Sequence, residues 1–145
     1  MAVLRMVLRI AAAAGLAVDA AVHAELAGQY DAVTATISQG TLFRIEAGAA
    51  ALAVLLVLLW RKLPGDLFGW LTALAGLAAI LLYRYVDVGA FGPFPDMYEP
   101  IWSTDKVWAL AGQALAVLTL TPCLLTGLSR LSRSRRSAGR SAGPE

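Results

Sequence analysis

Residues 107–129 read Val-Trp-Ala-Leu-Ala-Gly-Gln-Ala-Leu-Ala-Val-Leu-Thr-Leu-Thr-Pro-Cys-Leu-Leu-Thr-Gly-Leu-Ser, 23 positions without a charge. As a helix rising 1.5 Å per residue, the stretch crosses the roughly 30 Å hydrocarbon core of a bilayer. Outward from it, Leu67–Tyr83 is a second uncharged run, of 17 residues, and Thr41–Trp60 a third, of 20, broken only by Arg44 and Glu46. Composition points the same way. Hydrophobic residues make up 59% and charged ones 15%, against roughly 45–50% and about 25% in soluble domains. Such apolar content excludes disorder, and a single Cys excludes a disulfide scaffold. The expected class is all-α and integral to a membrane.

The first segment is less apolar. Leu4–Leu26 contains Arg5, Arg9, Asp19, His23 and Glu25, so Ile10–Val18 is its longest uncharged run. Two readings stand at this point. One is a fourth retained helix; the other is a cleaved signal, with small residues at Val18-Asp19-Ala20 or Val22-His23-Ala24 marking the cleavage site. Orientation follows from charge in either case. Arg5, Arg9, Arg61, Lys62 and the tail arginines 130, 133, 135, 136 and 140 fall on one side, nine of the twelve basic residues. The positive-inside rule makes that side, with both termini, cytoplasmic.

The expected architecture is an up-down four-helix bundle, because short links between consecutive spans favour antiparallel neighbours. Its helices cover about 4–26, 41–60, 67–86 and 106–129, with a long outer loop at 87–105. Residues 130–145 form a flexible basic tail suited to anionic lipid headgroups rather than to nucleic acid. Trp60, Trp70, Tyr83, Tyr85, Trp102 and Trp108 fall near span ends, as interfacial anchors do.

Chemistry concentrates in the outer half. Asp19 and His23 are four apart and share a helix face. Arg44 and Glu46 enter the second span, and Arg84 and Asp87 close the third. Isolated charges are costly at this depth, so they should turn inward and pair, with Arg44 between Asp19 and Glu46 or Asp87. This layer reads either as a polar lock that fixes helix register or as a proton relay, ion site or ligand pocket. Gln113 also needs a partner in hydrocarbon. The outer loop is too apolar and Pro-rich for a solvated linker, and Phe94, Asp96, Met97, Tyr98, Glu99 and Trp102 form a candidate lid over the mouth. No cofactor and no metal is expected: one His offers no zinc spacing. A mixed site of His23, Asp19 and Glu25 with Asp96, Met97 or Glu99 is a weak alternative. Lone Cys123 cannot run dithiol chemistry, and no catalytic motif occurs.

The segments Gly40-Thr-Leu-Phe-Arg-Ile-Glu46, Tyr83-Arg-Tyr-Val-Asp-Val-Gly89 and Gly92-Pro-Phe-Pro-Asp-Met-Tyr-Glu-Pro-Ile-Trp102 resemble a group of small four-span membrane proteins of high-GC actinobacteria. The resemblance implies a bacterial plasma membrane and a four-helix bundle, and it brings no activity with it. The first functional expectation is a structural or accessory subunit that binds another membrane protein or a second copy of itself. The alternative is a small transporter or ion/proton-coupled module built on the ionisable layer.

Overall fold

The computed structural model describes residues 2–141, with side chains to residue 133. Among these residues there are four α-helices and no strand. Helix α1 runs Ala2–Leu26, α2 Gln39–Leu55, α3 Leu63–Tyr85 and α4 Thr104–Ser141. A wider π-helical turn, Leu56–Trp60, continues α2. Three helical segments, Gln39–Trp60, Leu63–Tyr85 and Thr104–Arg133, are long and apolar enough to cross a membrane.

Local chemistry explains where the helices begin and end. Ser38 caps α2, its Oγ accepting from Thr41 N–H at 3.0 Å, so the helix starts two residues before the predicted Thr41. Helix α3 starts at Leu63 rather than 67. Pro64 sits in its first turn, where the missing N–H costs nothing, and Asp66 meets the positive helix end. Arg61 separates the two helices in a left-handed conformation, φ 54°, its N–H donating back to Leu56 O at 3.0 Å. Helix α4 begins at Thr104, just after Ser103, whose Oγ accepts from Lys106 N–H at 3.2 Å.

Helix α4 continues through 130–141, into the stretch expected as the basic tail. Arginine is a good helix former, and the Ser129 and Ser132 hydroxyls bond to carbonyls three residues back instead of breaking the helix. Residues 142–145 of that tail lie outside the described residues. The expected contact of Arg135, Arg136 and Arg140 with lipid headgroups falls outside the described side chains.

Consecutive helices pack on one another, and α1 and α4, the first and last, close the ring in the most extensive contact of all. Small residues allow that approach. A Cβ on Gly15 would strike the Gly112 carbonyl oxygen, and one on Gly112 would lie 2.5 Å from the Gly15 oxygen, so the two backbones touch. Around the crossing Ala12, Leu16, Ala53, Val57, Ala116 and Leu120 are fully buried. The polarity of the molecule is inverted. Arg9, Asp19, His23, Asp66 and Gln113 are buried, while Leu59, Leu118 and Leu125 are 76%, 71% and 63% exposed.

At the end that carries Arg61, Arg9 reaches from α1 to Asp66 in a two-pronged ion pair, Nε–Oδ1 3.0 Å and Nη2–Oδ2 2.5 Å. Its Nη2 also donates to Arg61 O at 2.8 Å. Helix α1 is thereby fastened to the α2–α3 turn. Trp70, expected as an interfacial anchor, is instead half-buried, with its Nε1–H donating to Thr121 Oγ1 at 3.0 Å.

Candidate functional site

At the opposite end, which carries the α1–α2 and α3–α4 loops, residues of all four helices line a cavity of about 410 Å³. Its inner end is polar. Asp19 and His23 stack one turn apart on α1, His23 Nδ1 lying 2.9 Å from Asp19 Oδ1 and 3.0 Å from Asp19 O. Both partners only accept, so Nδ1 carries the hydrogen. From α4, Gln113 Nε2 donates to the same Asp19 Oδ1 at 2.7 Å. Glu46 enters from α2 and lines the cavity beside His23. Gly76 on α3 makes the room: a Cβ there would collide with Gln113 Nε2 and lie 2.9 Å from Glu46 Oε1.

Three oxygens in this group, Asp19 Oδ2, Glu46 Oε1 and Gln113 Oε1, are buried without a hydrogen-bond partner. Such groups are uncommon in folded proteins because each forfeits its hydration. All three are acceptors, so the floor as it stands is short of donors.

Aromatic rings climb one wall. The His23 ring meets Phe43 edge-on, centroids 5.0 Å apart, and Phe43 leans on Tyr30 at 4.9 Å. Tyr30 OH donates to Glu99 Oε1 at 3.1 Å at the rim. Burial, and then the Glu99 carboxylate, raise the Tyr30 phenol above its ordinary value. Lys106 Nζ pairs with Glu99 at 3.2 Å and donates to the Glu99 and Ile101 carbonyls. Apolar side chains, among them Val22, Leu26, Leu42 and Ile80, make up the other walls.

The loop over the mouth is held by backbone bonds, Glu99 N–H to Tyr83 O and Ile37 N–H to Pro93 O, both 3.0 Å. Half of the expected lid faces inward: Phe94, Met97 and Glu99 line the cavity. The rest does not. Asp96 is exposed and accepts from Tyr98 N–H, Tyr98 is 40% exposed, and Trp102 lies against the Arg84 guanidinium, 5.3 Å from ring centroid to carbon.

Of the six residues expected in the polar layer, Asp19, His23 and Glu46 come together and three do not. Arg44 is turned outward and grips Asp31 with two bonds of 2.7 Å. The reason is helical phase: two residues from Glu46, it lies on the far side of α2. Its hydrogen bonds hold the Asp31 carboxyl below the ordinary carboxylate range. Arg84 spans the Tyr85 and Trp102 rings. Asp87 accepts from Gly89 N–H within its own loop. The mixed metal set does not assemble, and no three His, Cys, Asp or Glu side chains converge as a metal site among the described residues. Sequence reasoning missed Tyr30, Phe43 and Gly76. Nothing in the order of residues signals the rings, whereas Gly76 carries a faint signal in its spacing from Thr72.

Comparison of the chain with protein-family models, with curated proteins and with solved structures finds no match.

Proposed function

We propose that the chain is a multi-pass protein of a bacterial plasma membrane, an up-down four-helix bundle with both termini cytoplasmic, whose outward-opening cavity binds a small, largely apolar molecule. Membrane insertion is supported by the inverted polarity, since apolar side chains face out and ionisable ones face in. Helix α1 serves as the fourth span on the same ground: Arg9, Asp19 and His23 are all buried, Arg9 paired with Asp66 and His23 with Asp19. A chain cleaved after residue 24 would leave Asp66 and Gln113 unpaired in the interior.

The observation that carries the functional reading is the coincidence of cavity and cluster. An apolar chamber of several hundred Å³ with a few convergent polar groups is the usual form of a small-molecule site, and His23 and Glu46 stand at its inner end. This favours the transporter or ion/proton-coupled reading over an accessory subunit. The accessory reading retains one observation of its own, the exposed Phe91 (72%) and Ile101 (71%) in the outer loop.

Native mass spectrometry of the tagged chain, extracted gently from its own membrane, tests the reading. The expected result is the chain with a small-molecule adduct, and loss of that adduct in Ala109→Leu, which fills the cavity from α4. A bare chain in both samples would contradict it. A bound second protein would favour the accessory subunit.

A further inference from the structure

The charges around the cavity pair off with one exception. Asp19 faces His23, and Glu99 faces Lys106. Glu46 lines the same cavity and has no cationic partner among the described residues except what His23 can share with Asp19. The nearest cation on its own helix, Arg44, is committed to Asp31 on the outer surface. Helix α3 presents Gly76 to Glu46, and α4 presents Gln113, neither of which carries charge. Helix α1 brings the Asp19 carboxyl within hydrogen-bonding reach of Glu46, a second acid rather than a cation, and Glu46 Oε1 and Asp19 Oδ2 both lack a donor. A carboxylate so placed needs a donor, and a cationic donor above all.

The walls narrow the choice. Lys106, the cavity's one lysine or arginine among the described residues, is already bonded to a carboxylate and two carbonyls, so an anionic ligand finds no free counter-charge. The Phe43 and Tyr30 rings line the cavity, and aromatic rings attract an ammonium group rather than an anion. Leu42, Ile80, Val22 and Leu26 suit a hydrocarbon body. A cavity of about 410 Å³ is of a size to hold a compact molecule.

We infer that the ligand of this cavity is a small organic cation, a protonated amine on an apolar body, with its ammonium on Glu46 and its body against Phe43 and Ile80. The inference rests on the cavity being a ligand site at all, and the test separates the two claims. Binding of cyclohexylmethylamine and of its neutral counterpart cyclohexylmethanol is measured by calorimetry on the full chain in nanodiscs, with empty nanodiscs subtracted. A charge-assisted bond in place of a neutral one predicts that the amine binds at least about tenfold more tightly. In Glu46→Gln the preference should vanish while the alcohol still binds. Equal affinities in the wild type, or a preference that survives Glu46→Gln, overturn the amine inference and leave the cavity standing. Binding of neither probe overturns both. If Glu46→Gln does not fold, the wild-type pair decides alone, parity being the contrary result.

Discussion

Arg44 and Glu46 show how much two positions along a helix can matter. Both enter α2 at the same depth, yet one forms the surface clasp with Asp31 and the other faces the cavity. The clasp gives a prediction with a definite sign. Because Arg44 holds the Asp31 carboxyl below its ordinary value, the pair's contribution is complete above the usual aspartate range and is lost as pH falls through the lowered value. NMR titration should place the Asp31 midpoint below that of a free aspartate, and Arg44→Ala should restore it. Stability at neutral pH should hardly change, since exposed pairs contribute little. An ordinary midpoint in the wild type would show that the clasp does not persist in solution.

Among elements, the α1–α4 contact dominates, and two glycines permit it. Gly112→Val would place three carbons where the Gly15 carbonyl stands, and the helices must separate to admit them. Overpacking of this kind costs about 1–3 kcal/mol. Unfolding in a graded detergent series should move by that amount, whereas Gly48→Val, with open space around it, should be close to neutral. Equal effects at the two positions would mean that α1 and α4 do not meet as described. The three apolar helices were legible in the sequence because apolar length is a property of a single segment. The partners of α1 were not. Arg9 and Asp66 are 57 positions apart and Asp19 and Gln113 are 94 apart, and only the crossing of helices brings them together. The need for such a partner was visible at Gln113, and its identity was not. Helix phase would have excluded Arg44 from the cluster, since neighbours two apart never share a face.

At the scale of the whole molecule, the two ends divide the work. The end with Arg61 is closed by the Arg9–Asp66 pair, which fastens α1 to the α2–α3 turn. The other end opens around His23 and Glu46, under a loop stiffened by prolines and tied down by two backbone bonds. A fixed base and an open mouth suit a site filled from one side of a membrane. The most direct test is thiol labelling of intact cells with a charged, membrane-impermeant reagent, in a Cys123→Ala background that removes the native buried thiol. Ala109 lines the cavity and is 2% exposed, whereas Ala78 is exposed on the surface of α3 and does not line it. Ala109→Cys should label from outside, because the cavity admits water, and Ala78→Cys should not, because lipid covers it. Labelling of both would contradict membrane insertion of this face, and labelling of neither would contradict an outward-opening cavity.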